Sequence, residues 1–224
     1  MILTILVNDW GKVMIVRFKK LDNTERKRIL DSAYRAFTDT PYALASTNTI
    51  VLNAGISKGK LFYYFQSKET LFDYLITHGL HYIKTAYVDK INTLERDCLK
   101  RLMLIAEPKK RAYNDEPYLF AFMSYVYMHE QHRIKAKSLK LIQEYQSIIE
   151  EKMKENIDIS LFRADIDANL VMRLLKYSIN GYQDDLETQF KSKDIAHVYM
   201  QPYYKDYETI IETLRKIYYK TEAL

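Results

Sequence analysis

Only nine residues in this chain of 224 are glycine or proline, five and four respectively. Between them run long stretches whose apolar residues recur every three to four positions. Few breakers combined with that period predict an all-α protein and argue against a sandwich or barrel. Helices are expected over 23–38, 47–54, 58–64 and from Ser67 onward, then near 91–106, 116–131, 134–156, 166–190 and 203–221. Pro108, Pro117 and Pro202 are expected to mark breaks.

The length suits one or two domains with a sizeable core. Hydrophobic residues make up 48% and charged residues 28%, a globular and not a disordered composition. The lone cysteine, Cys98, can build neither a disulfide framework nor a zinc site, and a reducing, cytoplasmic compartment fits it best. No run reaches the ~18 apolar residues of a membrane span. Ile2 to Val7 is short and lacks a preceding basic region, so it does not read as a signal peptide. Met14 is a second candidate start, which would make residues 1–13 an upstream extension.

Charge is placed unevenly. Residues 17–70 hold ten of the 34 basic and five of the 29 acidic side chains, so the whole formal net charge of +5 resides there. A basic segment on a neutral body suits a phosphate-binding module, although a solvated charged face would look the same.

That segment has its own punctuation. Asp22 followed by Glu25 reads as a capping box for the first helix, whose inner stripe is Ile29, Ala33 and Phe37, widened by Leu30 and Tyr34. Asp39-Thr40-Pro41 stops it. Ser46 can cap a short second helix with Ile50, Val51 and Ala54 inward. Gly55 supplies the turn, where positive φ is cheap. Ser57 can cap the third helix. Two short helices joined by about three residues with glycine in the turn form the helix-turn-helix pattern. A module over 20–66 is thus expected, preceded by an extension over 1–19 and followed without a flexible linker by a helical body over 67–224.

In the third helix Leu61, Phe62 and Phe65 are expected to face the core. Lys58, Lys60, Tyr63 and Tyr64 are expected outside it. Gly59 leaves room for a close backbone approach, and the helix N-terminus offers N–H groups to a phosphate. Lysine can donate to guanine O6 and N7 or pair with phosphate, and tyrosine can donate to phosphate or cover a thymine methyl.

The run from Ala54 to Gly59, then Leu61-Phe62-Tyr63-Tyr64-Phe65, then Ser67-Lys68-Glu69 and Leu71, resembles the signature of the TetR family of bacterial transcriptional regulators. Arg28 to Ala33 with Phe37 resembles that family's first helix, and Thr47, Ile50 and Val51 its second. Phe62 stands where tyrosine is usual and Tyr64 where histidine is common. The resemblance implies base-edge roles for Lys58, Lys60 and Tyr63, and phosphate roles for Thr47, Ser57, Tyr64 and Lys68. It also implies a homodimer on double-stranded operator DNA, with a ligand-sensing body. Repression relieved by a small molecule is the expected function; a regulator without an inducer and, more remotely, a helical enzyme are the alternatives.

The body must be read on its own residues. Tyr118 to Met128 is rich in aromatics and methionine and apolar nearly all round, which predicts a buried central helix and an apolar or aromatic effector. Candidate ligand contacts are Tyr113, Phe120, Phe122, Met123, Tyr127, Tyr177 and Asn180, each of which could equally be plain packing. Two helices carry apolar residues on more than one side: Leu170, Val171, Leu174, Leu175, Ile179, Tyr182 and Leu186, then Tyr207, Ile210, Ile211, Leu214, Ile217 and Tyr218. They are expected to pair with a second copy as a four-helix bundle. His78 with His81, and His129 with His132, have metal-compatible spacing but no visible third ligand. No phosphate loop, G-x-S-x-G or H-E-x-x-H occurs, so neither catalysis nor a cofactor or metal is expected. A membrane-surface protein anchored by residues 1–16 is a remaining competitor.

Overall fold

The computed structural model describes residues 16–190 and 201–221. They form helices, with a single isolated bridge between Phe162 and Tyr219 among the described residues. In chain order the helices are α1 (Asn23–Asp39), α2 (Thr47–Ala54), α3 (Lys58–Phe65), α4 (Lys68–Ala86), α5 (Cys98–Asp115), α6 (Pro117–His129), α7 (Ala136–Lys154), α8 (Ala168–Phe190) and α9 (Gln201–Tyr218). The expectations for residues 1–15, a second start at Met14 and a membrane-surface anchor, lie outside the described residues.

The chain divides into two compact units, and not in simple chain order. One comprises the described residues up to Leu80 together with Tyr118–Leu139; the other comprises His81–Pro117 and the residues from Lys140 on. The first unit therefore takes in α6 as well as the basic module. The reason is aromatic packing. Phe122 of α6 is fully buried, with ring centroids 5.2 Å from Tyr34, 6.4 Å from Phe37 and 5.4 Å from Phe72. Gly79 lets α6 come close: a Cβ there would stand 2.6 Å from Met123 Sδ.

Residues 16–19, which the sequence reading placed outside the module, also belong to this unit. Phe18 has no exposed surface and sits edge-on to Phe65 at 4.8 Å, Tyr64 at 5.5 Å and Tyr74 at 5.6 Å.

In the second unit Cys98 and Leu99 of α5 pack with Val171, Leu175 and Ile179 of α8 and Ile211 and Leu214 of α9. Asp97 caps α5, accepting from the backbone N–H of Leu99 and Lys100, and also accepts from the Tyr219 hydroxyl at 2.7 Å and pairs with Arg215 at 2.7 Å. Burial pushes the Asp97 carboxyl up, but Tyr219, the Lys100 N–H and Arg215 outweigh it and hold it below its ordinary value. Arg101 is almost fully buried, donating to the backbone carbonyls of Thr93, Glu95, Lys152 and Glu155, and so closes the C-terminal end of α7 on the 93–95 loop.

Two expectations fail here. The helix expected over 91–106 begins only at Cys98, because Asp97 is the cap and Ile91 belongs to a turn. Pro108 lies inside α5 and does not break it. Its missing N–H would have served the carbonyl of Leu104, which is on the exposed side, where water can replace it. Pro202, by contrast, stands at a helix boundary, within the first turn of α9, where an N–H has no helical partner to lose.

Candidate nucleic-acid interface

α2 and α3 are set by local chemistry at every end. Ser46 Oγ accepts from Asn48 N–H and starts α2. Gly55, at φ 63 and ψ 39, closes it in the left-handed region, and its N–H reaches back to Leu52. Ser57 Oγ accepts from Lys60 N–H at 3.1 Å and starts α3. Gln66, also at positive φ, ends α3 with its N–H on the Phe62 carbonyl, and Ser67 Oγ then caps α4 through Thr70 N–H. At α1 the capping box is half realised. Asp22 accepts from Thr24 and Glu25 N–H, which holds its carboxyl below the ordinary value, but the Glu25 side chain turns to α3 instead.

The inner face of α3 is Leu61, Tyr64 and Phe65, with Phe62 half-buried. This corrects the expected face: Tyr64, not Phe62, completes the i, i+3, i+4 stripe. The Tyr64 ring is core, packed on Phe18 and Tyr63.

The outer face carries Ser57, Lys58, Gly59 and Tyr63, all exposed, and Lys60, half-buried. Lys58 Nζ lies 6.0 Å from the Phe62 ring. Lys60 Nζ pairs with Glu25 Oε1 at 2.6 Å, a bond that raises the lysine pKa. Gly59 has ample room: a Cβ there would meet only Ser57 Oγ, at 3.9 Å. No internal packing demands glycine at that position, so its use is to keep the outer backbone bare.

Thr47, at the first position of α2, is half-buried. Lys68 departs from expectation. Its Nζ donates to the carbonyls of Tyr42 at 2.7 Å and Ala45 at 3.0 Å, with Ala43 at 3.3 Å, and lies 4.6 Å from the Tyr42 ring. It clamps the loop before α2. Arg133, 4.3 Å over the same ring, and Glu130, accepting from Tyr42 N–H, hold the loop from the other side. These pairings have no local signature in the sequence, because the partners stand 23 to 91 positions apart.

The seven candidate ligand contacts do not form one set. Phe120, Phe122, Met123 and Tyr127 belong to the first unit, whereas Tyr113, Tyr177 and Asn180 belong to the second. Phe122 is core, and Tyr127, Tyr177 and Asn180 are exposed. A groove of about 580 Å³ in the first unit is lined by Lys27, Arg28, Asp31, Arg35, Asn53 and Tyr118 among others, and by none of the seven. The paired histidines are occupied separately: His78 Nδ1 bonds Tyr34 at 2.8 Å and His81 Nδ1 bonds Tyr145 at 3.1 Å. Among the described residues no three metal-ligating side chains cluster, and no helix is long and apolar enough to cross a membrane.

A basic helix-turn-helix whose second helix shows a bare, polar outer face defines a DNA-binding head. Comparison with known families agrees. Residues 29–75 match the model for bacterial regulatory proteins of the tetR family. The remainder has the fold of such regulators. A TetR family transcriptional regulator from Chloroflexus aurantiacus J-10-FL superposes with TM-score 0.59 at 22% identity, over 91% of this chain and 97% of that one. The regulator PfmR from Thermus thermophilus gives 0.58 at 20%, over 84% and 97%. The fatty acid degradation regulator FadR from Bacillus halodurans gives 0.55 at 14%, over 87% and 96%. No curated protein matches by sequence.

Proposed function

We propose that the chain is a homodimeric transcriptional repressor that reads a palindromic operator with α3 and releases it when a small apolar or aromatic molecule binds the helical body. The observation that carries the DNA-reading part is the outer face of α3. Lys58, Lys60 and Tyr63 stand there beside a glycine that the protein's own packing does not require. Lys58, Lys60 and Tyr63 meet base edges, and Thr47, Ser57 and Tyr64 meet phosphates, while Lys68 orders the loop before α2. The function requires no catalytic group and no cofactor.

The dimer is assigned to α8 and α9. Their inner residues are used within the unit, while Leu170, Tyr177 and Ile217 are exposed and Leu174 is half-buried. Gly181 is also exposed, and a Cβ added there would meet nothing within 4 Å, so a partner helix can approach. α4 is continuous from Lys68 to Ala86, across the division after Leu80, which gives a shift in the body a path to the head. Ligand then acts only through its preference for the form with mismatched half-site spacing. Of the candidate contacts, Phe120 and Met123 remain within the first unit and Tyr113 within the second.

Selection of bound DNA from a random pool tests the proposal. A palindrome with half-sites ~34–36 Å apart, or a multiple, is expected. Diffuse binding without a preferred site would contradict it, and monomers at micromolar concentration would remove the dimer.

A further inference from the structure

The five residues before the helix-turn-helix carry a device that the family match, beginning at residue 29, does not cover. Phe18 is driven into the aromatic cluster behind α3, between Tyr64, Phe65 and Tyr74. Its neighbours are thereby turned outward: Arg17, Lys19 and Lys20 are all exposed. Residues 16–19 are helical, and the end of this helical turn is closed by Lys20 N–H on the Arg17 carbonyl and Leu21 N–H on the Phe18 carbonyl, both at 3.1 Å. It is tied to α1 by Arg26, which donates to the Lys19 carbonyl at 2.7 Å. Three exposed cations are thus held on a fixed helical turn, with Arg17 beside Tyr63 on the outer face of α3.

Arg17 goes further. Its guanidinium donates to the Tyr63 hydroxyl and lies 5.6 Å from the centroid of that ring. A phenol hydroxyl has one hydrogen to give and two lone pairs. With a lone pair occupied by Arg17, the Tyr63 hydrogen is left to donate, and the acceptors it can find in a major groove are guanine O6 and N7, adenine N7 and thymine O4. The guanidinium keeps further N–H groups beyond the one spent on Tyr63, in a planar fork suited to phosphate.

We propose that the turn at residues 16–20 is part of the DNA-reading surface, with Arg17 fixing the Tyr63 hydroxyl as a donor and itself contacting the phosphate that flanks the base Tyr63 reads. This rests on the DNA-reading function proposed above. Arg17 is at once a contact to the backbone and a positioning residue for a base contact, so two separate readouts should respond to its loss.

The test uses the full chain and the operator it selects. Affinity is measured across a salt series and against operators altered one base pair at a time, for wild type, Arg17→Ala, Arg17→Lys, Tyr63→Phe and the Arg17→Ala/Tyr63→Phe double variant. Arg17→Ala should lower the slope of log affinity against log salt by about 0.9 per subunit. It should also lose discrimination at the same base position as Tyr63→Phe, with the double variant losing no more there than either single one. Arg17→Lys should restore the slope without the discrimination, since an ammonium lacks the fork. That last result decides the matter even if Arg17→Ala lowers the melting temperature. The proposal is overturned if both Arg17 variants keep the wild-type slope and base preferences while Lys60→Ala is impaired, because DNA reading would then stand without Arg17. Absence of any selective binding by wild type would overturn it along with the function on which it rests.

Discussion

Replacing Phe122 with alanine separates two roles that aromatic composition alone could not. The side chain has no exposed surface and touches Tyr34, Phe37 and Phe72, so it ties α6 to α1 and α4. Truncating a fully buried phenylalanine costs about 3–5 kcal/mol, the lost transfer energy plus the cavity left behind. In a protein of this size each kcal/mol lowers the melting temperature by roughly 2–4 °C, so a fall of about 6–20 °C is expected. Tyr127→Ala, at a position 51% exposed, should move it by no more than about 2 °C. Calorimetry or thermal circular dichroism on the two variants reads this directly. A Phe122→Ala protein as stable as wild type but with altered inducer potency would refute the core assignment and restore Phe122 to a ligand pocket.

Further outcomes concern the head and the α5 cap. Gly59→Ala should leave stability unchanged or raise it by up to about 1 kcal/mol, since the position is helical and open, yet weaken operator binding by about tenfold or more; unimpaired binding would show that DNA does not approach there. Glu25→Gln should strengthen DNA affinity, because it releases Lys60 and removes a negative charge near the phosphates, and weaker binding would mean that Glu25 instead holds Lys60 in its reading position. Asp97→Asn should cost about 1–3 kcal/mol at neutral pH through its bonds to Tyr219 and Arg215. The Asp97 pKa is lowered by folding, so its contribution is present above the ordinary carboxylate range and is lost as pH falls through the depressed value. The stability gap between wild type and Asp97→Asn should therefore close in acid, and a gap independent of pH would contradict the assignment.

What can be read in the sequence follows from the range of the forces involved. The ends of α2, α3 and α4 are legible because Ser46, Gly55, Ser57 and Ser67 act on N–H and C=O groups within four residues of themselves. The start of α5 has an equally local sign in Asp97, overshadowed by apolar Ile91 and Leu94. Placing Phe62 in the core instead of Tyr64 follows from counting phenylalanine as apolar and tyrosine as outward; the helical spacing from Leu61 points to Tyr64. Other features have no local sign at all. Burial of Phe18, the hold of Lys68 on three carbonyls and the capture of Arg101 by α7 depend on partners far along the chain. The buried helix around Phe122 is legible from its composition, but which residues bury that ring is set by the fold of the first unit.

The central claim is that α3 reads base edges, and Lys60 tests it most directly. Wild type and Lys60→Ala are compared on the selected operator and on every single-base change within one half-site, at a fixed salt concentration. Loss of preference at one base position per half-site, worth ~1–3 kcal/mol, with the other positions unchanged, is the expected result. A uniform loss at all positions would make Lys60 a phosphate contact, and wild-type binding throughout would contradict the assignment of α3 as the recognition helix.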